Sequence, residues 1–456
     1  MFNNQPLIKL NNSQHSNSNN KTNNKTMKIK SKITLALLAL GLVSRASADN
    51  TVYLTGSTAF RSIAYNALSD NAGDAGAVFD AGSVTVTALF GSSTASKCSY
   101  MLFHGNISGT PTYIDCAWSG SEAGIASAAN VTIQNTDRNG NAIALAGSPE
   151  QWLKADGTVT TSGPNSSSPT TGQLEASTHQ TDLTQADTSQ AVSLTPATTV
   201  AATQLKDYGT EGIVPFTFAK NYNTTPSSQW THLTNINIAQ AFVEFGAPQP
   251  TGFFTGNTND DTETVYLVGR NKGSGTRANV LSYCGYGTTT SVQQFSVGGG
   301  VQPGDTTTGL VLQSEGNNGY ESGGGVAGAL NINGSSQQTD PFNAAHVGWI
   351  AIGYLGTSDA LSLTGTTNQW LTESGVLESD GAVEEGQYSF WGHEHLYGRN
   401  GISGYQNTVG GKIFTAIQGQ LTLTASGATP TAHSTGIALG YMNCTKNSDV
   451  AYPTHN

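Results

Sequence analysis

Short apolar runs that end in a glycine- or hydroxyl-rich turn and restart at helical spacing recur along this chain. That alternation constrains the fold more than any other feature. Val52, Tyr53 and Leu54 read as a buried strand, Thr55 to Thr58 as a turn with helix-capping residues, and Ile63, Ala64, Ala67 and Leu68 as one helix face. Residues 81–90 alternate as a strand, and 118–130 read as a second capped helix start. Residues 212–219 form a buried strand, and 233–244 form an amphipathic helix capped by Thr234. The strand 264–269 runs directly into Arg270 and a glycine-rich turn, and a helix continues over 277–285. A helix follows a glycine loop at 323–333, and 346–355 is another buried strand. Repeated units of this kind specify α/β layers with parallel strands. In such sheets ligands sit at strand carboxyl ends, against helix N-termini. Residues 131–180 are polar and rich in Ser, Thr, Gly and Pro, and read as a surface excursion or inserted hairpins.

The chain has 456 residues, 36% of them hydrophobic and only 11% charged, so it is too apolar for disorder throughout and long enough for two lobes with cores of their own. The formal net charge is -11, and no dense Lys/Arg cluster occurs beyond the N-terminus, which argues against nucleic acid as a partner. Net charge speaks to solubility, and says little about one local site.

The N-terminus bears on the compartment. Met27 to Lys32 is basic, Ile33 to Val43 is apolar apart from Thr34 and Gly41, and Ala46, Ser47 and Ala48 give a small-x-small cleavage pattern. That order is a secretory signal over 27–48, too short to span a bilayer comfortably. Residues 1–26 are a polar, Asn-rich extension consistent with a start-codon artefact, Met27 being the better start. A periplasmic or extracellular location is therefore expected. Four cysteines in an exported chain point to disulfides; three connectivities are open, and Cys98–Cys116 with Cys284–Cys444 is the favoured one. No CxxC unit is present, so no structural metal is expected.

Four segments share one design, in which small hydroxyl or glycine residues stand at a helix start beside a charge-complementing side chain. They are Gly56–Phe60, Ser119–Gly124, Ala186–Ser189 and Arg270–Arg277. The first N–H groups of a helix are unpaired and carry partial positive charge, which suits a tetrahedral anion. Ser and Thr hydroxyls add donors, and a guanidinium offers a planar fork for two oxygens. Each segment alone is no more than an ordinary N-cap. Their order says more.

Together they resemble the phosphate-binding proteins of bacterial ABC importers, in the type 2 periplasmic-binding-protein group. RNKGSGTR (Arg270–Arg277) is similar to that family's phosphate loop and is the most specific match. LTGSTAF (Leu54–Phe60), WSGSEAGI (Trp118–Ile125), TDLTQADTSQ (Thr181–Gln190), VPFTFAKN (Val214–Asn221), LTNINIAQAF (Leu233–Phe242) and AIGYL (Ala351–Leu355) resemble further landmarks in the right order, with long unmatched insertions between them. The resemblance implies a two-lobed α/β clamp with mixed, mainly parallel sheets and a hinge. It implies lobe 1 over 49–217 and 385–456, and lobe 2 over 218–384. The implied ligand is inorganic phosphate or a related oxyanion, held by a monomer that serves a membrane ABC permease, with no cofactor.

Carried over residue by residue, the resemblance gives Ser57, Thr58 and Ala59 as the first donor loop and Ser121 as a hydroxyl and N–H donor. Arg270 becomes the sole ion-pairing cation, and Ser274, Gly275 and Thr276 close the cage from the second lobe. Asp187 is an acceptor set against an anion, which makes sense only for a ligand that keeps a proton; it would choose phosphate over sulfate. Lys272 and Arg277 add charge near the loop, and Glu122 must point away from an anion beside Ser121.

An enzyme is not expected. No G-x-S-x-G elbow, paired-carboxylate motif or P-loop is present. His393-Glu394-His395 is the one tight histidine cluster. On a strand, alternation would put both imidazoles on one face and permit a metal, but the favoured reading is an exposed polar loop beside Trp391 and Tyr397 with no third ligand in reach. The alternative function is a surface or extracellular structural protein that reuses the fold without transport.

Overall fold

The computed structural model describes residues 49–72, 76–145, 150–177, 179–195, 204–301, 305–334, 338–365, 369–427, 436–449 and 451–455. The Asn-rich extension 1–26 and the expected signal 27–48 lie outside the described residues. No helix among the described residues is long and apolar enough to cross a membrane.

Among the described residues twelve strands form one mixed sheet. In chain order they are β1 (Asn50–Gly56), β2 (Thr85–Phe90), β3 (Tyr100–Ile107), β4 (Thr110–Ala117), β5 (Leu183–Ala186), β6 (Lys206–Lys220), β7 (Gln249–Pro250), β8 (Glu263–Val268), β9 (Gln294–Val297), β10 (Leu312–Gly316), β11 (Gly348–Gly356) and β12 (Trp391–Gly398). The sheet order is β10-β9-β8-β11-β6-β12-β5-β1-β4-β3-β2, with β7 paired to β8.

Parallel pairing joins β4, β1 and β5 in one half, and β9, β8 and β11 in the other. Two strands link the halves. β6 pairs with β12 as far as Pro215 and with β11 from Phe216 to Lys220, so one 15-residue strand serves both. The crossing strands β6 and β12 and the β3–β4 hairpin all pair antiparallel, so parallel order is narrower than the repeated units predict. The result is a mixed α/β architecture in two halves.

β8 shows why these runs are strands. Val265 and Leu267 enter one apolar cluster, and Tyr266 and Val268 enter another on the opposite face. Successive side chains of a strand point to opposite faces, so a strand covered on both sides reads as a continuous apolar run. Burying each such side chain stabilises the fold by about 1.5–3 kcal/mol. Helices α1 (Arg61–Ser69), α2 (Ser121–Ala128), α3 (Ile238–Gly246), α4 (Gly275–Tyr283), α5 (Gly323–Leu330) and α6 (Gly404–Gly427) pack on the sheet. The cap of α3 is Asn237, not Thr234: Asn237 accepts from the Gln240 N–H, and Gln240 reaches back to the Asn237 N–H. Asn235 and Ile236 instead pair with Thr372 and Glu373 as a short parallel ladder.

Two further expectations are corrected. His393, Glu394 and His395 lie on β12 between β6 and β5, not in an exposed loop. Strands on both edges of β12 cover its backbone, and Glu394 is fully buried. The cysteine pairings do not form: Cys98, Cys116, Cys284 and Cys444 are all free and buried. Three of the thiols face carbonyls of their own neighbourhoods, Cys98 that of Ser92, Cys284 that of Leu281 and Cys444 that of Val383. Cys116 is packed in the apolar core on β4.

Candidate functional site

The strand register sets up the site. Thr55 of β1 lies level with Ala117 of β4 and Thr184 of β5, so the loops after all three strands leave one edge of the sheet together. They carry Ser57–Phe60, Trp118–Ser121 and Asp187. From the second half, β8 ends at Val268 and delivers Arg270 and the turn into α4.

Asp187 is the meeting point. Its carboxylate accepts from the Ser121 hydroxyl at 2.6 Å and from the Thr276 hydroxyl at 3.2 Å. A Cβ placed on Gly275 would lie 1.7 Å from Asp187 Oδ1, so only glycine lets the second-half loop come this close. Burial pushes the Asp187 carboxyl above its usual range, and the Ser121 hydroxyl, the Arg270 charge and the Thr276 hydroxyl pull it back in part. Gly120, at φ +108, turns the chain into α2 beside the Gly273 carbonyl. That carbonyl accepts from the N–H groups of Glu122 and Ala123 at 3.0 and 3.2 Å, and so caps the first turn of α2.

Arg270 is 2% exposed. Its backbone is held on both sides: the N–H donates to the Tyr354 hydroxyl at 3.0 Å, and the carbonyl accepts from Gln294 and Arg277, both at 3.0 Å. Its guanidinium donates to the Glu321 carbonyl at 2.9 Å and reaches Thr58 Oγ1 at 3.5 Å. Nε has no partner, and no described carboxylate lies within ion-pair distance. Burial works against its charge, and Asp359, Tyr354 and Asp187 favour it from farther away.

The remaining expected residues divide. Ser274 uses its hydroxyl as the cap of α4, accepting from the Arg277 N–H at 3.2 Å. Ser57 donates its N–H to the Gln185 carbonyl at 2.9 Å, and its hydroxyl lies close to the buried Glu394 carboxyl. The N–H groups of Thr58 and Ala59 have no hydrogen-bond partner among the described residues. Ser121, Asp187, Gly275 and Thr276 therefore touch directly, and Thr58 and Arg270 form a neighbouring pair.

The uncertain charges are resolved by position. Glu122 turns from the site and accepts from the Leu194 N–H at 2.6 Å; burial pushes its carboxyl up to about 8. Lys272 reaches outward to the Gln134 carbonyl. Arg277 is buried and braces the loop through the carbonyls of Arg270 and Asn317.

Sequence reasoning missed two groups. Glu150 sits under the first loop, accepting from Thr55 Oγ1 at 2.5 Å and from Ser119, with its carboxyl pushed up to about 8 by burial. Arg61, the first residue of α1, lines a cavity of ≈ 620 Å³ together with Thr58, Lys97, Trp118, Glu321 and Asp359. Neither lies in a glycine-rich loop, and no local pattern marks them. Among the described residues no group of three or more His, Cys, Asp or Glu is placed to hold a metal ion.

No protein-family model matches the chain, and no curated protein matches it. Solved structures do. A putative phosphate ABC transporter substrate-binding protein with bound phosphate from Clostridium perfringens is similar at 14% identity, over 81% of this chain and 92% of that one, with a TM-score of 0.36. An ABC-type phosphate transport receptor from Vibrio cholerae is 12% identical over 80% of this chain and 93% of its own, with a TM-score of 0.36. PstS from Borrelia burgdorferi is 10% identical over 83% and 98%, with a TM-score of 0.31.

Proposed function

We propose that this chain is an exported solute-binding protein that holds an oxyanion of the phosphate type between two lobes, residues 49–217 with 385–456 and residues 218–384, for uptake through an ABC-type permease. It is read as a binding protein, not an enzyme. The observation that carries the reading is the Arg270 guanidinium, buried without a carboxylate in ion-pair distance among the described residues, beside the unpaired N–H groups of Thr58 and Ala59. An uncompensated buried charge costs several kcal/mol, and an anion placed between these donors offsets that cost.

Asp187 supplies selectivity. A buried carboxylate beside the anion repels sulfate but accepts the O–H of hydrogen phosphate. Entry requires the halves to part. Thr276 to Asp187 and Gly273 to α2 are contacts between the two lobes, and separating them frees the Thr276 hydroxyl and the Glu122 and Ala123 N–H groups of α2 for the ligand. Calorimetry with phosphate, sulfate and arsenate tests this. Phosphate is expected to bind, and Arg270→Ala to weaken it at least about tenfold, the worth of one charge-assisted hydrogen bond. Unchanged affinity in that variant overturns the assignment.

The internal pairing of Ser121 and Thr276 with Asp187 favours a second reading, in which these groups fasten the halves of a surface or extracellular structural protein. In that case none of the three anions binds.

A further inference from the structure

The ≈ 620 Å³ cavity beside Thr58 holds a second buried guanidinium. Arg61 is 8% exposed, and its guanidinium makes no hydrogen bond or ion pair with any described residue. Its Nε is buried without a partner, and an unsatisfied buried donor is expensive. Its charged neighbours do not remove the cost. Asp359 acts on it only from beyond ion-pair distance and is shared with Arg270, and Arg270 itself repels it. The Asp359 carboxylate instead presses against Gly323 at the start of α5, where a Cβ would lie 2.1 Å from Oδ2. Lys97 adds a second cation to the walls.

Size and wall chemistry narrow the ligand. Small-molecule pockets span about 300–1,000 Å³, and this one falls in that range with far more room than one tetrahedral anion fills. The walls also carry the carboxylates of Asp359 and Glu321 and the hydroxyls of Ser99, Tyr100 and Ser322. A bare dianion has no use for two carboxylates. A ligand with an anionic end and a hydroxylated body uses both, since its phosphate meets the guanidinium and its hydroxyls donate to the carboxylates.

Building on the oxyanion reading above, we propose that Arg61 anchors the phosphate of a phosphomonoester whose sugar or polyol body fills this cavity. The reading deepens from a free oxyanion to an organic phosphate. Arg61 is a ligand-contacting residue, and Asp359 and Glu321 select for hydroxyl groups.

The test is calorimetry of the full mature chain with glycerol 3-phosphate, glucose 6-phosphate, unphosphorylated glucose and inorganic phosphate, repeated on Arg61→Gln and Arg61→Lys with thermal midpoints recorded. One phosphomonoester is expected to bind at least about tenfold more tightly than inorganic phosphate, with glucose silent. Arg61→Gln is expected to weaken that ester at least about tenfold, with Arg61→Lys intermediate because it keeps charge but not the bidentate fork. If Arg61→Gln fails to fold, the lysine variant and the wild-type ranking decide. Inorganic phosphate binding with every ester silent overturns this inference and leaves the oxyanion reading standing. Silence from phosphate and esters alike ends both. Ester binding indifferent to Arg61 overturns the anchor.

Discussion

Ser121 Oγ and Asp187 Oδ1 lie 2.6 Å apart, joining the start of α2 to the loop after β5. The same hydroxyl accepts from the Asp187 N–H at 3.2 Å, so one serine holds both the carboxylate and its backbone. Ser121→Ala leaves a buried carboxylate oxygen short of a partner, at a cost of about 1–3 kcal/mol. Denaturant titration should show that loss, with phosphate affinity falling in parallel. Asp187→Asn should keep the fold and lose the preference for phosphate over sulfate, read as the ratio of the two affinities. An unchanged ratio removes Asp187 from the selectivity role.

Gly275→Ala places a methyl group 1.7 Å from Asp187 Oδ1 and 2.6 Å from the Ser121 Cβ. Both neighbours are held from several sides, so the clash cannot relax cheaply. Destabilisation of about 1–3 kcal/mol is expected, together with loss of oxyanion binding. A variant of wild-type stability would mean that the two loops do not approach as described.

Glu150 makes a pH prediction. Burial lifts its folded carboxyl to about 8, above the ordinary value of about 4.3 in an unfolded chain. The folded state then binds the proton more tightly, so its contribution is complete below about 4.3 and is lost as pH rises toward 8. Glu211, lifted to about 8 by burial beside Gln185, acts in the same direction. The thermal midpoint should fall between pH 5 and pH 8. Glu150→Gln, neutral throughout and able to accept from Thr55, should flatten that slope. A parallel slope in the variant would assign the loss to other groups.

The cysteines give the simplest test. All four are free and buried, so a thiol reagent should find none in the native protein and four after denaturation. Reductant should leave the thermal midpoint unchanged. A midpoint lowered by reductant would restore the disulfides that an exported chain leads one to expect.

Much of the site was legible because its parts are local. Tyr266, Leu267 and Val268 mark a buried strand, and Arg270 follows within two residues, so the loop's place at a strand carboxyl end could be read directly. Ser274 capping α4 through the Arg277 N–H spans three residues. Other features had no local signal. Arg61 reads as one polar residue at the head of a helix, and only the fold sets it beside Arg270 and Asp359. The His393-Glu394-His395 run admits a strand or a loop, and the local pattern favours the loop because nothing within it reveals that strands cover both edges. Glu122 looked misplaced beside an anion until Leu194 proved to be its partner.

The sequence by itself determined the strand–turn–helix units and the Ser274 cap of α4, because apolar periodicity and turn chemistry act over a few residues. Tertiary structure alone decided which loops meet at Asp187, that the Gly273 carbonyl caps α2, and that the thiols stay apart. Those outcomes depend on the order and register of twelve strands in one sheet. Sheet order brings together residues far apart along the chain, and no short-range pattern encodes that distance.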